Sequence, residues 1–366
     1  MRALRIDENS PYQQLVGVGG IGTGMFFALE GNHTLGRGES RPCGLLDVRD
    51  YCKLHIIIHY VARLLGAKPS GVPFHVMPIG KVGGDASGRQ LVKEMLAAGI
   101  DTQFVQAIPG SPTLLSVCFQ YPNGEGGNLT TNNSAAEQIT RQDVEDARRV
   151  LGARGKKTIA LAAPEIPLDV RCRLLELAGE AGAFRVASLV SAEVSAARDC
   201  GMLEMLDLLA VNEDEAEELV GKRLIPDSPD DFVRSCLVFT EGHGNLRMIV
   251  TAGKNGAYAF ADGNWNHCSA HEVSIASTAG AGDALLGGVI ATLACGIPLL
   301  RSGSHQENVV GSALEFGVLL AGYKCLSPHT IHPDACLDTL LQFATGLGLE
   351  LAPEFQQRFS EPVYGG

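Results

Sequence analysis

The residues with the most chemistry in them are Ser277-Thr278-Ala279-Gly280-Ala281-Gly282-Asp283. Small residues precede an acid, and the acid opens the apolar run Ala284 to Ala291. Gly280 and Gly282 permit backbone conformations closed to residues with a side chain, and Ala281 keeps the space above the turn empty. The first N–H groups of the following helix point outward, with the positive end of its dipole behind them. Such a turn is an anion site. Asp283 stands at its rim, where a carboxylate can take a proton from a hydroxyl that attacks a bound phosphate. A helix N-terminus with an Asp cap accounts for the same residues without chemistry.

Two further stretches share this character. Asn212-Glu213-Asp214-Glu215 follows a strand pattern and opens a helix pattern. Asn212 suits an N-cap, and acids suit the first turn. Thr251-Ala252-Gly253-Lys254-Asn255-Gly256 follows a strand and reads equally as a hairpin turn with two glycines. His55 and His59 stand four apart on a helical pattern. That spacing can chelate a metal, but no third ligand is near, so a surface or substrate-facing pair is the better reading. There is no Gly-x4-Gly-Lys-Ser/Thr loop and no nucleophile elbow, so phosphate must be cradled in another way.

The elements that must position these residues alternate. Strands are expected at Leu15 to Ile21, Phe74 to Ile79, Thr113 to Gln120, Thr158 to Ala163, Phe184 to Leu189, Leu206 to Val211 and Met248 to Thr251. Helices are expected at Tyr51 to Gly66, Gly88 to Ala98, Leu168 to Ala181, Glu213 to Val220, Asp283 to Cys295 and Val309 to Tyr323. Met25 to Leu35 reads as a hairpin, Pro122 to Gly126 as a turn and Asp227 to Asp231 as a polar loop. Such alternation predicts a mostly parallel sheet with helices on both faces.

The 366 residues, 45% hydrophobic and 19% charged, suffice for one large α/β core. A net charge of −12 argues against nucleic acid or an anionic membrane as the main partner. The ten cysteines are scattered and Met1 to Glu8 is charged, with no apolar core. The expectation is a cytoplasmic protein with reduced, mostly buried thiols.

Thr278-x-Gly280-Ala281-Gly282-Asp283 resembles the C-terminal signature of the ribokinase-like (PfkB) family of carbohydrate kinases, usually Asp-Thr-x-Gly-Ala-Gly-Asp. Asn212-x-x-Glu215 and Thr251-x-Gly253-x-x-Gly256 resemble two more family motifs, and the three come in family order. Gly80 to Asp85, followed by Gly99-Ile100-Asp101-Thr102, resembles an earlier passage. The resemblance runs from about Leu15 to Tyr323 and is weakest at the N-terminal end. It implies a single ribokinase-like domain over 1–366, a three-layer α/β/α core with a small β lid from about 22–45 and 112–133. It implies ATP and Mg²⁺ as cofactors and transfer of the γ-phosphoryl group to a hydroxyl of a small sugar, polyol or nucleoside-like acceptor. Asp283 would be the base, with the amides of Gly280, Ala281 and Gly282 stabilising charge. Asn212, Thr251, Gly253, Gly256 and Thr278 would serve the nucleotide, and Glu215 the magnesium. Lids that pair between subunits imply a homodimer. A non-catalytic, nucleotide-binding relative with a regulatory role is the alternative, and a dinucleotide-binding enzyme fits less well, for want of an acidic ribose partner.

The chain departs from the family at three places. Ser277 replaces an Asp in a neighbourhood that helps bind a monovalent cation in some members. The sugar-binding Asp after the first strand falls on Gly24, or at best Thr23. The Gly-Gly-x-x-x-Asn element falls on Cys52, Lys53 and Ile57. Thr23, Gly24, Lys53, Asp85 and Asn133 remain as acceptor-contact candidates, with Asn132, His55 and His59 nearby. With both grips missing, ribose, fructose and their monophosphates are expected to be poor acceptors.

Overall fold

The computed structural model describes residues 2–123, 126–244, 246–301 and 308–359. Its early elements are β1 (Gln14–Val18), β2 (Gly22–Leu29), β3 (Cys43–Tyr51), α1 (Lys53–Leu65), β4 (His75–Gly83), α2 (Ala86–Ala97), β5 (Phe104–Ile108), β6 (Leu114–Gln120) and β7 (Gly126–Thr130). The middle holds α3 (Arg141–Glu145), α4 (Arg148–Arg154), β8 (Thr158–Ala162), α5 (Leu168–Ala181), β9 (Phe184–Ser188), α6 (Val194–Asp199), β10 (Leu208–Asn212), α7 (Glu213–Val220) and α8 (Asp230–Gly242). The last third holds β11 (Arg247–Thr251), β12 (Ala257–Ala261), β13 (Asn264–Cys268), α9 (Ala281–Ala294), β14 (Val309–Val310), α10 (Ala313–Cys325), α11 (Leu337–Gly346) and β15 (Glu350–Leu351).

The main sheet has nine strands among the described residues, in the order β13-β12-β11-β10-β9-β8-β1-β4-β5. From β5 to β11 neighbours run parallel, and β11, β12 and β13 are antiparallel. Strands β1 and β8 are buried at every residue, as a sheet covered on both faces requires. Alternate residues serve opposite faces. Leu15, Ile159 and Leu161 pack with α1, α9 and α10, whereas Val16, Val18 and Ala160 pack with α3, α4 and α5. Chain order reverses at β1, so the connections after β1 and β8 diverge there and open a crevice at the strand ends.

Helix α9 is apolar all round because it lies between α1 and α10. Its glycines let the helices meet closely. A Cβ at Gly287 would stand 2.9 Å from Tyr60 Cβ and 3.0 Å from the Ile57 carbonyl oxygen, and one at Gly288 would stand 3.2 Å from Gly317 Cα.

Among the described residues four strands form a second sheet, β3-β2-β6-β7, and β3 carries it on to Tyr51. The hairpin expected over Met25 to Leu35 is only half formed there: β2 ends at Leu29, and its antiparallel partner β3 begins at Cys43 after a long loop. Gly124 and Glu125 of the expected Pro122–Gly126 turn lie outside the described residues. Helix α10 begins at Ala313 and not at Val309, because Ser312 and Glu315 cap it reciprocally while Val309–Val310 pairs with β15. Asp230 and Asp231, read as loop, form the first turn of α8. His55 is fully buried and stacks edge-on against Tyr51, and His59 is half-buried. Burial lowers both imidazoles, His59 to about 4, so the pair is neutral and is not a surface pair.

Gly287→Val should lower stability by about 1–3 kcal/mol, since the added branch meets backbone and cannot be relieved by a rotamer change. Gly152→Ala, in α4 with open space around it, should raise stability by about 0.5–1 kcal/mol. Urea unfolding of both variants tests this, and equal effects would refute the close-packing account.

Candidate active site

The glycine-rich turn before α9 forms as its composition demands. Gly280 is the N-cap of α9 and adopts the left-handed conformation, φ 78°. A Cβ there would stand 2.7 Å from the Thr330 carbonyl oxygen, so two separate constraints require glycine. Ala281 N donates to the Thr278 carbonyl at 3.1 Å, and Ala279 N donates to Ser277 Oγ at 3.2 Å. The Ala281 amide is therefore engaged inside the loop. Thr278 contributes its carbonyl to the same turn, and its side chain is exposed.

The neighbouring strand ends bring up the other motifs. Asn212 and Thr251 are register partners at the ends of β10 and β11. Thr251 Oγ1 lies 3.7 Å from the Cβ position of Gly282, which joins this strand end to the glycine-rich turn. Asn212 Oδ1 accepts from Glu215 N at 2.8 Å, and Glu215 Oε2 accepts from Asn212 N at 2.9 Å. The pair is thus a capping box. Glu215 is also buried, and burial raises its carboxyl above the ordinary value while Lys53 opposes that rise. Gly253 has φ 51° and open space. Gly256 has φ 87°, and its Cβ would stand 1.9 Å from the Cys268 carbonyl oxygen, so the β12–β13 hairpin by itself requires glycine there.

Asp283 lies in the first turn of α9. Desolvation raises its carboxyl above the ordinary carboxylate value, and the Lys53 and Lys324 ammonium groups pull it back down. Lys324 is fully buried, and its Nζ donates to the Ser277 carbonyl at 2.9 Å. Burial lowers this ammonium to about 8, against the opposing influence of Cys325, Asp50 and Asp283. Lys53 opens α1 and donates through Nζ to the Leu189 carbonyl at 3.1 Å.

Three charged side chains of this cleft escape sequence reasoning. Glu165 follows β8 with φ 73°, a left-handed conformation that costs a non-glycine residue about 1–3 kcal/mol. Its Oε2 accepts from Lys53 N at 3.3 Å, and burial pushes its carboxyl up to about 7. A Cβ at Gly20 would stand 2.6 Å from Glu165 Cβ, so the glycine after β1 makes room for it. Asp50, on β3, is pushed up to about 6 by burial and lies in the field of Asp283. Lys324 is the third. The one available signal was position: Pro164-Glu165-Ile166-Pro167 directly follows an apolar strand, where parallel sheets place ligands.

The acceptor candidates divide. Lys53 reaches the cleft. Gly24 pairs with Asp50 on the lid. Thr23 lies on the other face of β2 and lines a separate cavity of about 420 Å³ with Arg49, Tyr51 and Glu94. Asp85 caps α2, accepting from Gly88 N at 2.8 Å, Thr113 N at 2.7 Å and Thr113 Oγ1 at 2.6 Å. That set of bonds accounts for Asp85 as a structural residue. Asn132 and Asn133 are exposed.

Among the described residues, no three His, Cys, Asp or Glu side chains are grouped to hold a metal. Glu215 nevertheless fits a hydrated divalent cation, because it is a buried carboxylate with one oxygen committed to the cap and no Arg or Lys ion pair among the described residues. No described helix is long and apolar enough to cross a membrane.

Lys324→Met should move the titration of the Asp283 carboxyl to higher pH, because a neighbouring cation stabilises the ionised form and its loss favours the protonated one. Side-chain ¹³C chemical shifts read the titration directly. An unmoved titration would show that the two groups are not coupled.

Comparison with known proteins identifies the fold and the family. The sequence model for pfkB family carbohydrate kinases matches residues 59–335. A ribokinase of Staphylococcus aureus is 24% identical over 241 residues, covering 65% of this chain and 72% of its own. Fructokinase-1 of Oryza sativa is 26% identical over 278 residues, covering 73% and 81%. The structure of Arabidopsis thaliana ribokinase complexed with ribose and ATP superposes with a TM-score of 0.66 at 17% identity, covering 91% and 99%. The chain has the ribokinase-like α/β fold and belongs to the pfkB family of carbohydrate kinases.

Proposed function

We propose that this protein transfers the γ-phosphoryl group of ATP to a hydroxyl of a small sugar, polyol or nucleoside-like acceptor, with Asp283 as the base. The observation that carries the reading is the junction of a left-handed Gly280 turn, the N-terminus of α9 and a half-buried Asp283 flanked by two ammonium groups. The acceptor oxygen attacks the γ-phosphorus, the bond from phosphorus to the β–γ bridging oxygen breaks, and Asp283 takes the hydroxyl proton. Gly280 and Gly282 amides and the helix dipole stabilise charge on the group in transfer. Lys53 and Lys324 oppose the rise of the Asp283 carboxyl and so favour the ionised form. The ends of β10 and β11, with Asn212 and Thr251, line the nucleotide. Magnesium, when bound, supplies charge neutralisation on the phosphates, and Glu215 would hold it through water. Arabidopsis ribokinase, complexed with ribose and ATP, lends this reading its ligand classes.

The outer face of the lid exposes Met25, Leu45 and Leu129, and supports a homodimer in which two lids pair. Light scattering of the purified protein tests that part.

Asp283→Asn should retain its fold and ATP binding while kcat falls roughly 10²- to 10⁴-fold. Turnover near that of the unaltered protein would remove Asp283 as the base. Glu215→Gln should raise the magnesium concentration needed for half-maximal rate more than it raises the acceptor KM. An unchanged magnesium titration would leave Glu215 as a helix cap only.

A further inference from the structure

The lid supplies a carboxylate at the place where its own strand β2 lacks one. Gly24 of β2 is the register partner of Asp50 of β3, and the pairing breaks by a bulge immediately beyond it, where Phe26 pairs with Leu46. A bulge re-aims the side chain beside it. Here it folds Asp50 over Gly24, so that a Cβ at position 24 would stand 2.0 Å from Asp50 Oδ2. The carboxylate fills the space of the missing side chain. Gly24 also pairs with Ser116 of β6, so Asp50 and Ser116 share one face of the lid.

That face is tied to the glycine-rich turn. Thr330 N donates to the Arg49 carbonyl at 3.1 Å, and Tyr51 N donates to Thr330 Oγ1 at 3.1 Å. The Thr330 carbonyl is the group that presses on Gly280. One threonine therefore links the segment carrying Asp50 to the turn that opens α9. Among the described residues Asp50 makes no ion pair. Its local partners are the Tyr51 amide and Thr330, and the charges that face it are Asp283 and Lys324. A half-buried carboxylate without a cation partner is costly unless donors reach it. Such an anion accepts hydrogen bonds and repels phosphate and carboxylate groups.

We propose that Asp50 binds two neighbouring hydroxyls of a neutral polyol acceptor and presents a further hydroxyl to Asp283. The inference rests on the kinase reading above and names its substrate class. It revises the expectation that the acceptor site lacks a polar grip. Position 24 is indeed empty of a side chain, but the neighbouring strand fills it.

The test compares the unaltered protein, Asp50→Asn and the exchange Gly24→Asp/Asp50→Gly over ribose, fructose, their monophosphates and acceptors lacking adjacent hydroxyls. Residue 24 has no positive φ, so the exchange is sterically open. Neutral sugars should be preferred over their monophosphates. Asp50→Asn should raise the KM of the sugars roughly 10- to 100-fold, with the KM of ATP and the melting temperature little changed. The exchange should recover most of that loss. An acceptor KM that does not respond to Asp50→Asn, or a preference for monophosphates, overturns the proposal and leaves the kinase reading standing. If no acceptor is phosphorylated, the kinase reading fails, and sugar-induced thermal shifts decide the Asp50 site alone. Shifts lost in Asp50→Asn support it, and shifts that are absent or unaffected overturn it.

Discussion

Negative charge held at the edge of the protein interior is the constraint on which this structure turns. Asp50, Glu165 and Glu215 all lie in the field of Asp283, and desolvation raises every one of the four carboxyls. Lys53 and Lys324 supply the opposing charge. Lys324 is itself anchored to the loop, through the Ser277 carbonyl. The balance is incomplete, and an incomplete balance of buried carboxylates favours hydrogen-bond donors and hydrated cations over anions. The start of α9 has the opposite character, because backbone amides and the positive end of the helix dipole there oppose the excess negative charge.

The fold makes this assembly from remote pieces: Glu165 and Glu215 follow the parallel strands β8 and β10, whereas Asp50 comes from β3 of the second sheet and Lys324 from α10. The reversal of chain order at β1 separates the connections after β1 and β8. Gly20 on the first and Glu165 on the second then meet, and the glycine leaves room for the carboxylate. On the same edge Asn212, Thr251 and Gly282 converge. Behind them α9 is wedged between α1 and α10 by glycine contacts that bring backbones close. That packing holds the N-terminus of α9 still relative to the sheet, as catalysis by positioning requires.

The lid follows a different logic. Its two faces carry different residues along the same strands, because side chains alternate. Thr23 and Gly24 are neighbours in sequence and therefore serve opposite sides. Which side meets the cleft is settled by pairing with β3, and the bulge beside Asp50 sets that register. The family match begins at residue 59, so β2 and β3 lie outside it while β6 and β7 lie within it.

Local chemistry was legible in the sequence. The glycines of the turn before α9, the Asn212–Glu215 cap, helix α5 from Leu168 to Ala181 and the end of α1 at Gly66 each follow from interactions within a few residues. So did the parallel sheet, whose strands are short apolar runs spaced by helices. Elements whose signal is weak or borrowed were missed. Strand β5 is half-buried, and β12 and β13 exist as a hairpin through contact with β11. His55 shows the same limit: on a helix, only the packing of α1 decides that it is core. The charged partners of Asp283 were beyond reach for the same reason. Asp50, Glu165 and Lys324 are separated from it by hundreds or tens of residues and have no motif of their own. A carboxylate at 50 can replace a side chain at 24 because two strands lie side by side, and strand pairing is a property of the folded chain and not of either segment.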